Sequence, residues 1–124
     1  QKKSADLATL ATPFEKIEDF HDPNQVKVVL NVSGFALFFS RAPIPYNREC
    51  SHNLSHNCYK HLGMYGYRGD FLNEFTSLPT GCLEDLEKLE QLRALENGKH
   101  ISVEIVPYDT VGIDTPEDLS NLSF

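Results

Sequence analysis

The chain is expected to fold as an α/β layered domain built on a mixed sheet, and three observations predict it. Apolar, β-branched runs alternate along the 124 residues with segments of helical periodicity. Two of those runs, "VKVVL" and "FALFFSR", flank the four residues "NVSG", a hairpin signal that makes part of the sheet antiparallel. The length suits one domain with one core, so residues 1–124 are taken as a single domain. No internal repeat or low-complexity tract interrupts it.

In order, "ADLATLATPF" predicts a short strand stopped by Pro13, "EKIEDF" a helical turn and "HDPNQ" a loop. The hairpin follows, and "APIPYNRE" ends regular pairing because Pro43 and Pro45 break both helices and ladders. "KHLGMYGYR" predicts another strand, with glycines that let a ligand or another backbone approach. "GDFLNEFTSL" predicts a helix capped by Asp70. "CLEDLEKLEQLRALENG" predicts a single longer helix closed by Gly98, and "ISVEIV" a buried strand. A last helix opens at "DTPEDLSNL", with Thr115 as cap, Pro116 at the first position and Asp118 three residues after the cap.

Composition removes several classes of function. Hydrophobic residues at 40% and charged residues at 23% are ordinary for a globular protein. A net charge of -7 argues against a nucleic-acid surface, and Lys2–Lys3 is the only adjacent basic pair. No apolar run approaches the roughly 18 residues of a membrane span, and the first residues lack a secretory-signal layout. Three cysteines cannot all pair within one chain, which points to a reduced, cytoplasmic protein. Because the chain opens on Gln1 and its single methionine is Met64, residues upstream of it are expected.

Five features ask for more than packing. On a wheel of about 100° per residue, Glu90 and Arg93 fall inside the stripe of Leu83, Leu86 and Leu89. They are either an ion pair covering the helix edge or part of a polar pocket that Gln91 extends, since buried charge is costly unless paired or used. Asp114, after a strand and before a helix start, either favours the positive helix end or serves as a hard oxygen ligand at the carboxyl end of a sheet. Arg41, in "FFSRAPIPY", is either a surface arginine or a bidentate grip on an anion. His61 and Tyr65 share one face of "HLGMYGYR" with Gly63 and Tyr67, a polar, open wall for a ligand. Finally, Cys50, His52, His56 and Cys58 form a compact cluster. Its spacing departs from the knuckles of structural zinc sites, so a solvated loop is the better reading.

Taken together, "VKVVLNVSGFALFFSRAPIPYNR", "KHLGMYGYRGDFL", "LEDLEKLEQLRALENGKHISVEIV" and "VGIDTPEDL" resemble, in this order, the carboxyl-terminal half of the CMP-KDO synthetases. These are the 3-deoxy-manno-octulosonate cytidylyltransferases. The likeness runs from about Ala5 to Leu122. It implies part of a three-layer αβα nucleotidyltransferase-like fold. It also implies the bacterial lipopolysaccharide-precursor reaction, in which CTP and KDO give CMP-KDO and pyrophosphate with magnesium.

By that resemblance Asp114 is the catalytic, magnesium-binding aspartate. Tyr65, Glu90 and Gln91 contact the sugar acid, His61 and Arg41 line the same pocket, and Arg93 is the structural partner of Glu90. The family's glycine loop for the triphosphate and its "GDEP"-like second metal motif are absent, Gly69-Asp70 being the only "GD". The stretch Cys50–Cys58 falls in a loop that varies within the family. The expectation is therefore a sugar-acid-binding fragment that forms a homodimer or self-associates. The alternatives are a non-catalytic interaction module dimerising through its hairpin, and a small zinc protein.

Overall fold

Leu7–Pro13 (β1) has apolar or small side chains at nearly every position, which suits a strand covered on both faces. Leu7 through Thr12 are indeed buried, and exposed Pro13 ends the strand. In this computed structural model, which describes residues 5–49, 54 and 57–107, four further strands surround β1. They are Lys27–Leu30 (β2), Ala36–Ser40 (β3), Tyr59–Tyr67 (β4) and Ile101–Ile105 (β5), in the order β3-β2-β4-β1-β5. The β1–β5 pair is parallel, and β1–β4, β2–β4 and β2–β3 are antiparallel, so the sheet is mixed as expected.

The hairpin turn is built by Asn31. Its Oδ1 accepts from the Ser33 and Phe35 amides at 2.9 and 3.0 Å, while Gly34 takes φ 85°, where a β-carbon would be strained. The tip then reaches across to β5: the Val103 amide donates to the Gly34 carbonyl at 2.9 Å.

Four short helices complete the described chain: Ile17–Phe20 (α1), Phe71–Ser77 (α2), Cys82–Glu87 (α3) and Leu92–Glu96 (α4). Phe71 and Phe75 of α2 and Leu92 and Ala94 of α4 pack with Leu7, Ala11, Val28, Phe39, Ile101 and Val103 in the main core. Each such large side chain contributes about 2 kcal/mol through burial. Ala8, Leu10 and Leu62 form a smaller cluster on the opposite face of β1, and Phe14, Phe20 and Cys58 a third beside α1.

Several expectations change. The single helix over 82–97 is two helices, because Lys88 takes the left-handed conformation (φ 57°, ψ 45°) and stops α3. The wheel therefore fails across the break: Leu89 is buried, but Leu83 and Leu86 are exposed. Gly98 does close α4, at φ 77°, with the Lys99 amide donating to the Ala94 carbonyl. Asp70 occupies the cap position of α2, but its side chain makes no capping bond. In β5 only Ile101 to Val103 are buried, and Glu104 and Ile105 face outward. A β-carbon added to Gly63 would meet nothing within 4 Å, so no neighbouring backbone requires glycine there. The expected last helix, Asp114, Cys50, His52 and His56 lie outside the described residues.

Candidate functional site

The strand β4 and the turn between α3 and α4 enclose a cleft of about 140 Å³. Tyr65 and Tyr67 line it from β4, Glu90 and Gln91 from the turn, with Leu7 and Phe75 as an apolar wall. Both phenols resist ionisation: burial raises the pKa of Tyr65, with Tyr67 and the Glu90 carboxylate adding, and burial and Glu90 raise that of Tyr67. They therefore stay hydroxyls, able to donate and accept. Beside them stand one carboxylate and one amide. A donor-rich ligand with an apolar edge suits this set.

Behind the cleft runs an aromatic ladder. Phe39 meets the His61 ring edge-on at 4.9 Å, His61 lies 5.4 Å from Tyr65, Tyr65 6.3 Å from Tyr67, and Tyr67 6.4 Å from Phe71 and Phe75. His61 is 8% exposed, and burial pushes its pKa down to about 4. Its ring nitrogens meet Thr9 Oγ at 2.9 Å and Gln91 Nε2 at 3.5 Å. The face expected to be open is thus closed at His61 and opens only toward Tyr67. Thr9 also marks a bulge: Thr9 pairs with Tyr65 and the next residue, Leu10, with Leu62, so Gly63 and Met64 are looped out.

Glu90 and Gln91 owe their place to the break in the helix. The Arg41 guanidinium donates to the carbonyls of Glu87, Lys88 and Pro23 at 2.8, 3.2 and 3.1 Å, gathering the end of α3. In return the Glu87 carboxylate accepts from Ser40 Oγ at 2.6 Å and from the Arg41 amide at 2.9 Å. On the other side Arg93 donates to both oxygens of nearly buried Glu84, at 2.9 and 2.8 Å, and lies 5.1 Å over the Phe75 ring. Those hydrogen bonds, first of all, raise the Arg93 pKa.

Of the residues singled out in the sequence, Tyr65, Glu90 and Gln91 come together in the cleft, and His61 stands directly beneath them. Arg41 does not line it: its guanidinium is engaged on three backbone carbonyls at the edge of the turn. Arg93 pairs with both Glu84 and Glu90: the bond to Glu84 is the shorter at 2.8 Å, and the ion pair with Glu90, whose side chain is 71% exposed, is longer at 3.8 Å. Tyr67 was visible as the next same-face position of the strand. Leu7, Phe75 and Thr9 join only through tertiary pairing, which no local pattern announces. Among the described residues no group of three or more His, Cys, Asp or Glu side chains is placed to hold a metal ion. Cys58, the one described member of the Cys/His cluster, is buried beside Phe14 and Phe20.

Comparison with known proteins bears on this arrangement. A family model described as cytidylyltransferase matches residues 1–101. The chain is 52% identical over 116 residues to the 3-deoxy-manno-octulosonate cytidylyltransferase of Thermodesulfovibrio yellowstonii, covering 91% of this chain and 46% of that protein. It is 55% identical over 113 residues to the protein of that name from Syntrophobacter fumaroxidans, covering 91% and 45%. A solved structure of CMP:2-keto-3-deoxy-manno-octonic acid synthetase complexed with CTP superposes with a TM-score of 0.77 at 38% identity, over 94% of this chain and 47% of that one. The chain thus spans about half the length of the relatives it matches. With the family model matching 101 of 124 residues and the sheet matching a solved synthetase, the chain belongs to the cytidylyltransferase family.

Proposed function

We infer that this chain carries the sugar-acid side of a 3-deoxy-manno-octulosonate cytidylyltransferase, the enzyme that joins CTP and KDO into CMP-KDO with release of pyrophosphate in lipopolysaccharide biosynthesis. One observation carries this reading: a carboxylate and an amide, Glu90 and Gln91, face two protonated phenols, Tyr65 and Tyr67, across a small cleft. That set suits the hydroxyls of a polyhydroxylated acid. The anomeric hydroxyl of KDO attacks the α-phosphorus of CTP in line, the bond to pyrophosphate breaks, and the work of this half is to position the attacking sugar. Magnesium, which would neutralise phosphate charge, belongs to the reading only through Asp114, outside the described residues. The enzyme is bacterial and cytoplasmic in this reading. The exposed apolar residues Val32 and Leu37 of the hairpin, with Tyr46, favour self-association as a homodimer.

The test is KDO binding by calorimetry, in the wild-type chain and in Glu90→Ala and Tyr65→Ala. Weakening of about tenfold or more in each variant is expected, as for loss of a hydrogen bond to a bound ligand. Unchanged binding in both would refute the assignment. Pyrophosphate release from CTP, KDO and magnesium, with and without the amino-terminal half of a relative, then tests the activity. Sedimentation of the chain tests association, and a strict monomer would contradict it.

A further inference from the structure

Thr9 faces the bulge in β4 with a hydroxyl that has three neighbours and one proton. Its Oγ lies 2.6 Å from the Met64 carbonyl oxygen, 3.2 Å from that of Leu62 and 2.9 Å from His61 Nε2. Carbonyl oxygens only accept, so the hydroxyl proton goes to a carbonyl, and Met64 offers the shorter bond. Oγ then has only lone pairs for the ring, and His61 Nε2 must carry the hydrogen. Burial keeps that ring neutral at ordinary pH, which leaves Nδ1 bare. The atom facing Nδ1 is Gln91 Nε2, 3.5 Å away. A bare ring nitrogen attracts an amide NH₂ and repels an amide oxygen, so the oxygen of Gln91, a residue that lines the cleft, is held away from the ring.

We propose that Thr9 is a positioning residue: by setting the His61 tautomer it orients the Gln91 amide so that its oxygen, beside the Glu90 carboxylate, accepts hydrogen bonds from ligand hydroxyls in the cleft. The ligand class rests on the sugar-acid reading above; the sequence of protons from Thr9 to Gln91 does not. The bulge is part of the same device, because Leu62 and Met64 turn two carbonyls toward a single β1 side chain only where the ladder slips. Specificity would then be set in part by a residue that never touches the ligand.

Long-range ¹H–¹⁵N spectra of the chain, labelled at its histidine ring nitrogens, read the tautomer directly. The His61 signals are assigned by their loss in His61→Gln. Wild type and Thr9→Ser should show Nε2 protonated and Nδ1 bare. Thr9→Val, which removes the acceptor, should move the proton to Nδ1. Gln91→Glu leaves the bulge untouched and sets a carboxylate against Nδ1, so it should also draw a proton there. KDO affinity should fall about tenfold in Thr9→Val, the scale of one hydrogen bond, and recover in Thr9→Ser. A proton on Nδ1 in the wild type, or Nε2–H persisting in both Thr9→Val and Gln91→Glu, would overturn the proposal. A wild-type Nε2–H tautomer with no KDO binding would instead sink the sugar-acid reading and leave the Thr9–His61 assignment standing.

Discussion

Acidification should unfold this chain through His61. The ring is 8% exposed, and burial pushes its pKa from 6.5 down to about 4. Between those values the unfolded chain binds a proton that the native chain refuses, so stability falls as pH falls through the window. At pH 5 a group titrating at 6.5 unfolded and about 4 folded contributes a loss of about 2 kcal/mol relative to pH 7.5, approaching about 3 kcal/mol below pH 4. That is a large share of the marginal stability of a small domain. Urea unfolding at a series of pH values measures it, in the wild type and in His61→Gln. The substitution has its own cost at every pH, so the quantity of interest is the difference in slope between pH 6.5 and 4. Wild type should lose about 2 kcal/mol more than the variant by pH 5. Parallel slopes would refute the reasoning, because they would mean His61 titrates alike in the folded and unfolded chain.

Four further outcomes can be measured by the same urea titrations or by calorimetry. Glu84→Ala strips the half-buried Arg93 of its bidentate partner, leaving it only the longer contact to Glu90, and should cost about 1–2 kcal/mol in unfolding free energy. Gly81→Ala puts a β-carbon against the Glu96 carboxylate, which accepts from the Leu83 and Glu84 amides at the start of α3. Losing that cap should cost about 1 kcal/mol. Lys88→Gly relieves a left-handed residue at φ 57° and should raise stability by about 1 kcal/mol, since the Lys88–Asp85 pair it removes is well exposed. Arg41→Lys keeps the charge but cannot reach three carbonyls with one planar fork. Under the proposed function it should weaken KDO binding without touching the cleft, and unchanged affinity would deny Arg41 its part in holding the turn.

Much of the sheet was legible because its signals are local. Asn31 and Gly34 announce a turn between two apolar runs, Pro13 stops β1, and Gly98 ends α4. The break at Lys88 was not legible, because "LEDLEKLEQLRALE" has the apolar spacing and propensity of one continuous helix. What overrides it is tertiary: Arg41, from the end of β3, collects the carbonyls of Glu87 and Lys88, and Glu84 turns to Arg93. The wheel put Glu90 inside an apolar stripe, whereas the structure puts it in a turn with a largely exposed side chain. The bulge opposite Thr9 was hidden for the same reason, since it exists only in the register of β1 against β4.

Of the two hidden features, the break at Lys88 is the one that brings Glu90 and Gln91 to the cleft. Had Cys82 to Glu96 run as one helix, Glu90 and Gln91 would lie a turn apart from Leu86 on a continuous surface, with nothing to bring both side chains over β4. The break adds a short turn closed by 3₁₀-type bonds, with the Arg93 amide donating to the Glu90 carbonyl and the Ala94 amide to that of Gln91. Such a turn has little rigidity of its own. Its order comes from outside: Leu89 anchored in the core, Arg41 and Glu87 on one flank, the Glu84–Arg93 pair on the other, and His61 beneath. Ligand affinity should therefore respond to residues that never contact the ligand about as strongly as to those that do. For that reason substitutions at Arg41 and Thr9 should loosen the grip of the turn on its ligand, as truncation of Glu90 should by direct contact.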